Sequence, residues 1–198
     1  MPVEKKSFRR QIGKAKAALL TDTSGSQLLE FAVALPLLVV FVVGIFDFGG
    51  AFNLKQMLNN IAREGARFAS SLPTNDLDAI GTPPSVTAIR DLVVSHLQTA
   101  RLNDCGLAGQ GAVSGPATTW TYTASGGGCP ASLVLTIERQ YSFPTVIGTD
   151  TFNVMSTRVS LTYPFSWHFN RVITLLVPGA TYQSVTQVNS DATVPNMD

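Results

Sequence analysis

The chain has 198 residues, of which 45% are apolar and only 14% are charged. Soluble proteins carry about 25% charged residues, so this composition favours a membrane segment or a secreted surface over a cytosolic enzyme. The formal net charge is +1, which provides no global field for nucleic acid. We therefore expect no nucleic-acid partner.

Residues 1–25 form a basic, polar segment in which we expect no stable fold. It contains six lysines and arginines, namely Lys5, Lys6, Arg9, Arg10, Lys14 and Lys16. The first three cations beyond the following apolar run are Lys55, Arg63 and Arg67. By the positive-inside rule this asymmetry predicts a cytoplasmic N-terminus and a C-terminal part outside the membrane.

Residues 31–46 contain no charged side chain. As a helix they rise about 24 Å, and extending the segment to Phe52 admits only Asp47 and gives about 33 Å. A hydrocarbon core is about 30 Å thick, so we predict a transmembrane segment over about residues 31–52. Glu30 stands just before it, although a carboxylate at the bilayer centre costs about 2.5–3.5 kcal/mol or more.

The helical pattern continues beyond this segment. Apolar residues recur at steps of three and four, at Leu54, Leu58, Ile61, Gly65, Phe68 and Leu72. This spacing predicts one helix from about Leu28 to Leu72, which ends before Pro73. The neighbouring Ala62, Ala66 and Ala69 would permit the close approach of another helix.

The remainder, residues 73–198, is predicted to be a small α+β head with a largely antiparallel sheet. A loop over 73–84 leads to an amphipathic helix from Val86 to Ala100, with Ser85 as its cap. Alternating patterns predict three or four strands, near residues 119–123, 133–138, 155–163 and 182–188. Residues 103–118 are rich in glycine and small side chains, and no regular element is predicted there.

Cys105 and Cys129 both lie in the part predicted to be outside the membrane. An oxidising compartment would allow them to pair, and closing this loop is worth roughly 3 kcal/mol. The alternative is two unrelated buried thiols, and we favour the disulfide. His96 and His168 lack the cysteine and histidine spacing of a metal site, so we expect no metal and no cofactor.

Gly25, Ser26, Glu30 and Phe31 together resemble a prepilin peptidase site. In that class a membrane peptidase cuts after a glycine on the cytoplasmic side, and the glutamate is residue five of the mature chain. The resemblance implies removal of residues 1–25 and a new N-terminus at Ser26. Glycine suits this role because, without a Cβ, it lets an extended backbone enter a narrow cleft.

Residues 25–70 more specifically resemble the TadE-like family, pseudopilins of the Tad (Flp) pilus system. The matching elements are Glu30-Phe31, Leu35-Pro36, Asp47-Phe48 within Gly44–Gly49, and Ala62-Arg63-Glu64-Gly65-Ala66-Arg67. The resemblance implies a single-pass protein of the bacterial inner membrane that acts in pilus assembly as part of a hetero-oligomer. Its implied partners are the peptidase, other pilins or pseudopilins, and the Tad assembly platform.

Five charged positions on the long helix are candidates for assembly contacts, namely Glu30, Asp47, Arg63, Glu64 and Arg67. The ammonium of a mature Ser26 would neutralise the Glu30 carboxylate of a neighbouring subunit; the alternative, an acid that only complements the helix N-terminus, is worth about 0.3–1 kcal/mol. For Asp47 we favour exposure at the membrane interface. Arg63 and Arg67 either bind a partner's acid or lipid head groups, or form a solvated face with Glu64.

Enzymatic interpretations find little support. The glycines of 106–115 lack the order and context of a phosphate-binding loop, and no nucleophile motif is present, so we expect no catalytic activity. Two alternatives to the pilin hypothesis remain. One is a secretory signal cut after Gly49-Gly50-Ala51, which releases a soluble domain that starts at Phe52. The other is an uncut anchor whose head binds a surface ligand.

Overall fold

The computed structural model describes residues 23–78, 80–115, 118–169, 174, 179 and 185–197. Within them the chain forms a long N-terminal helix, a second helix and a five-stranded antiparallel sheet. The predicted α+β class is therefore confirmed. Most of the predicted leader, residues 1–22, lies outside the described residues.

The long helix, α1, runs over Thr23–Ser70. It begins before the expected Leu28 and ends just before the expected Leu72. Pro36 lies inside it without ending it, which apolar helices tolerate when other groups satisfy the freed carbonyl. Only the second half of α1 packs against the rest of the chain, since Asp47 is its first buried residue.

The sheet has the order β1-β2-β3-β4-β5, with every neighbouring pair antiparallel. Its strands are Val113–Gly115, Thr119–Ala124, Leu133–Ile147, Asp150–Ser166 and Val185–Pro195. The glycine-rich segment holds β1 and a short 3-10 helix, Leu107–Gly109, neither of which was predicted. β5 extends to Pro195, beyond the predicted end at residue 188, whereas residues 182–184 lie outside the described part.

The second helix, α2, spans Pro84–Thr99, and its N-cap residue is Pro83. The prediction that Ser85 caps this helix is therefore wrong. Ser85 lies inside the first turn, where its backbone N–H (2.8 Å) and its hydroxyl (3.0 Å) donate to the carboxylate of Asp76. An acid from the preceding loop thus satisfies an amide of the first turn, with the charge sign that a helix N-terminus favours.

Both helices pack on one face of the sheet. The core joins Leu58 of α1 and Ile89 of α2 to the inward-facing side chains of β2, β3 and β4. Gly65 of α1 lies at the centre, where an added Cβ would be 3.3 Å from Val93 Cγ2 and 3.5 Å from Val159 Cγ1. Close packing of both layers on α1 therefore requires a glycine there.

The small residues of α1 are buried by the chain's own head. Ala62, Ala66 and Ala69 are all 0% exposed. The expected close approach of another helix is made within the chain, because α2 and the sheet occupy that face. The pattern correctly indicated close packing, but it did not distinguish an intrachain partner from an intermolecular one.

Beyond the sheet, β3 and β4 continue as a two-stranded arm, residues 141–155. In this part they pair with each other from Ser142↔Met155 to Ile147↔Asp150, whereas β2 stops at Glu138 and β5 begins its pairing at Ser156. Over these seven-residue strands the arm extends by about 20 Å. Its tip points away from the end of α1 that carries the long apolar segment.

Candidate assembly site

The predicted processing residues lie together at the start of α1. Gly25, Ser26, Glu30 and Phe31 are all exposed. A Cβ added to Gly25 would meet no atom within 4 Å, so nothing in the folded chain requires glycine there. Gly25 also lies in the first turn, where backbone N–H groups have no partner within the helix.

The apolar side chains that follow are exposed all around the helix. The segment contains an 18-residue window with a mean hydropathy of 2.7, of which 0% is buried inside the protein. Phe31, Phe41 and Phe46 are 62%, 64% and 74% exposed. An apolar helix without intrachain cover is the pattern of a membrane segment, so this part of α1 suggests a membrane anchor.

Asp47 ends this exposed region, and the structure does not place it at an open interface as we had favoured. Its side chain is only 7% exposed. The backbone N–H of Phe169 donates to Oδ2 (2.5 Å), and Nδ1 of His168 lies 3.2 Å from Oδ1. The partners of Asp47 are therefore groups that follow β4 in the same chain.

Aromatic rings at the end of β4 and just after it contact α1 next to Asp47. Trp167 makes edge contacts with Phe48 and Phe165, with ring centroids 5.3 and 5.0 Å apart. The Phe165 ring lies 3.8 Å from the Cβ position of Gly50. The glycines of the Gly44–Gly50 region thus give the head close access to α1.

Arg63, Glu64 and Arg67 occupy an exposed face higher on α1. Glu64 and Arg67 are 3.9 Å apart, and their side chains are 53% and 72% exposed. Such a surface pair is worth little, about 0–1 kcal/mol. This group lies about 50 Å along the helix from Glu30, so the structure does not bring the predicted assembly residues into one site.

Residues 25–67 match the family model described as TadE-like protein. The resemblance drawn from the sequence is thus confirmed for this segment, which covers nearly all of α1. None of the curated proteins and none of the solved structures matches the chain significantly. The TadE-like segment suggests a minor pilin related to the Tad pilus.

One buried charge outside the TadE-like segment was missed by the sequence analysis. Arg139 of β3 is 0% exposed, and its guanidinium donates to the carbonyls of Ala69, Leu72 (2.9 Å) and Pro73 (3.0 Å). It thereby fastens the sheet to the C-terminal end of the TadE-like helix. The signal was present in the alternation of Leu133, Leu135 and Ile137, which places residue 139 on the inward face.

Cys105 and Cys129 form a disulfide in the structure, with Cα atoms 5.5 Å apart. The bond joins the loop after α2 to the turn between β2 and β3. Asn103 accepts from the N–H of Cys105 (2.9 Å) through its side chain and from the hydroxyl of Tyr163 (3.0 Å) through its carbonyl. Burial raises the pKa of Tyr163 above its ordinary value, against the opposing effect of that hydrogen bond.

We expect Cys105→Ser with Cys129→Ser to lower the free energy of unfolding of the head by about 3 kcal/mol, because the open loop regains entropy in the unfolded chain. Urea unfolding of both proteins measures this difference, with reduced wild-type protein as the control. Non-reducing mass spectrometry of the native protein should also find the two cysteines in one linked peptide. Two free thiols in freshly isolated material would contradict the bond.

Proposed function

We propose that this protein is a minor pilin or pseudopilin that acts, without catalytic activity, in the assembly of a Tad-type pilus or a related secretion apparatus. The observation that carries the proposal is the start of α1. Gly25, whose Cβ position meets no atom of the described residues within 4 Å, and the exposed Glu30 and Phe31 lie at the start of α1, where an apolar 18-residue window has 0% of its residues buried in the protein. Its partners are the inner membrane, a prepilin peptidase, other pilins and the Tad platform proteins.

In this proposal the protein inserts with its N-terminus in the cytoplasm and its head, residues 73–198, outside. The peptidase cuts after Gly25 and removes the basic leader, which leaves α1 as the anchor of the mature chain. For this cut only the first turn of α1 has to unwind, and the N–H groups of that turn lack helical partners, so only hydrogen bonds to its carbonyls are broken. The exposure of Gly25 and Ser26 supports such access.

Assembly would then use the charges that processing creates. The new ammonium of Ser26 pairs with Glu30 of a neighbouring subunit, and at 4 Å the attraction is about 4 kcal/mol for an effective dielectric of about 20. This pairing offsets much of the cost of a carboxylate among apolar helices. Glu30 is exposed in the single chain, which leaves it accessible to a neighbour.

N-terminal sequencing of the mature protein tests the proposal against both alternatives. A first residue of Ser26 supports pilin processing. A start at Phe52 would instead identify a cleaved secretory signal and a soluble head, and an intact Met1 would identify an uncut anchor. Either of the last two results overturns the proposal.

We expect Gly25→Ala to reduce processing and Gly25→Val to abolish it, because a branched Cβ blocks the extended backbone from the peptidase cleft. Gly49→Val is a matched control, since a Cβ at Gly49 also meets nothing within 4 Å on the same helix. Immunoblots of membrane fractions would show only the longer precursor for Gly25→Val and the normal mature band for Gly49→Val. A normal mature band from Gly25→Val would rule out cleavage at this site.

A further inference from the structure

The length of the uncovered helix defines how much of α1 a membrane has to hold. The sixteen uncharged residues from Phe31 to Phe46 rise about 24 Å, somewhat less than the thickness of a hydrocarbon core, about 30 Å. The Phe169 ring lies 3.8 Å from the Cβ position of Gly44, and Asp47 is buried. The head therefore contacts α1 at the outer end of the uncharged segment.

Asp47 fixes the head at this level. Its carboxylate accepts the N–H of Phe169 and lies beside the ring of His168, whose side chain is 78% exposed. These contacts join the end of β4 to α1 over more than a hundred residues of sequence. They also supply polar partners to a carboxylate that would otherwise stand bare at the edge of the apolar segment.

Three aromatic side chains lie together on one side of α1 beside Asp47, and we call Phe48, Phe165 and Trp167 the aromatic collar. Phe48 is 70% exposed although it is large and apolar. Trp167 presents an apolar ring to both phenylalanines, while its Nε1–H donates to Thr186 Oγ1 (2.6 Å). Amphipathic rings of this kind prefer the boundary between hydrocarbon and water.

We propose that the aromatic collar is a lipid-binding surface that seats the head directly on the outer head-group layer of the membrane. This inference rests on the membrane anchoring contained in the proposed function. It moves the outer end of the transmembrane segment from the expected Phe52 to near Asp47. The occupant follows from continuity, because the collar adjoins the uncovered apolar helix without an intervening polar turn.

The intrinsic fluorescence of Trp167 tests this surface, because the chain has only two tryptophans. The other, Trp120, is 4% exposed in the core of the head. The full chain with Trp120→Phe would be reconstituted in phosphatidylcholine vesicles that carry a spin label either near the head group or near the end of the acyl chain. We expect the shallow label to quench Trp167 about twice as strongly as the deep label, since aromatic belts lie at head-group level.

Two further proteins make the result decisive. Trp167→Phe retains only the core tryptophan and should be quenched by neither label; the difference between wild type and this variant also reports Trp167 if Trp120→Phe fails to fold. A Phe41→Trp change in a chain without the native tryptophans reports the apolar helix and should be quenched most by the deep label.

The pattern of quenching separates the two proposals. Suppose that the deep label quenches the Phe41→Trp protein. If Trp167 is then quenched by neither label, or more strongly by the deep label, the collar proposal is wrong and the membrane anchor is still supported. Absence of quenching in the Phe41→Trp protein overturns the anchor and the collar together. Strongest quenching of Trp167 by the shallow label supports the collar, whatever the processing of Gly25 turns out to be.

Discussion

Arg139→Met is expected to lower the free energy of unfolding by about 2–4 kcal/mol, because hydrogen bonds made by a charged group contribute about 1.5–3 kcal/mol each. The guanidinium is fully buried and donates to three carbonyls at the end of α1, with Nη1 also 3.4 Å from Thr157 Oγ1. Methionine retains the apolar stem but removes the donor to the carbonyls of Leu72 and Pro73, whereas the Ala69 carbonyl still accepts the N–H of Leu72 (3.2 Å). Each unsatisfied buried group costs about 1–3 kcal/mol.

Urea unfolding in detergent micelles, followed by circular dichroism, measures this loss as a lower midpoint at an unchanged slope. Arg158→Met is the matched control on the neighbouring strand. Arg158 is 34% exposed and forms ion pairs of 3.9 and 3.8 Å with Glu138 and Asp191, which are worth about 0–1 kcal/mol at a surface. If both variants lose the same stability, the role assigned to Arg139 is wrong.

Glu30→Gln is expected to abolish pilus assembly while the protein is still inserted and processed. If Glu30 neutralises a neighbour's ammonium at Ser26, the amide leaves that positive charge unpaired in an apolar contact. Removing one partner of a buried pair costs about 3–5 kcal/mol, which weakens association roughly a hundredfold or more. If Glu30 only complements the helix N-terminus, the loss is at most about 1 kcal/mol.

The measurement is pilus output, with crosslinking to other pilins, in cells that contain normal amounts of mature protein. Asp78→Asn provides the control, because Asp78 is an exposed acid of the head that lies outside the proposed assembly contacts. If cells with Glu30→Gln produce pili at the wild-type level, Glu30 is only an acid at the membrane interface and does not pair with a neighbour's ammonium. The pilin proposal would then depend on Gly25 and the residues from Ala62 to Arg67.

The sequence was sufficient for features encoded by neighbouring residues. The unbroken apolar run predicts α1, and strict alternation predicts the centres of β2, β3 and β4. It was insufficient where a partner is distant in the chain. The sequence predicts Ser85 as the cap of α2, whereas in the structure the amide of Ser85 itself donates to the distant Asp76. The sequence also predicts an exposed Asp47, because its partner His168 lies 121 residues away in the chain.

The same limit applies to the site. Gly25, Glu30 and Phe31 could be identified because a peptidase would recognise a short linear segment, and that segment stays exposed after folding. Arg139 could not be recognised as a helix clamp, since its function depends on how β3 crosses the end of α1. β5 was underestimated because its sequence, with Gln187, Asn189 and Asp191, alternates polar residues at the edge of the sheet.

The arm leaves the outer edges of its two strands without ladder partners among the described residues, except that the carbonyl of Met155 accepts the N–H of Asn196 (3.1 Å). Two-stranded ribbons are marginally stable alone, so its hydrogen bonds open and close without unfolding the rest of the head. Unpaired strand edges are templates for strand addition, which proteins counter with charged residues or proline. In the arm, Asp150 and Pro144 are residues of this kind. The apolar Val146, Ile147 and Phe152 are nevertheless 68%, 65% and 50% exposed. A head released from its membrane and concentrated in solution is therefore prone to self-association along this arm.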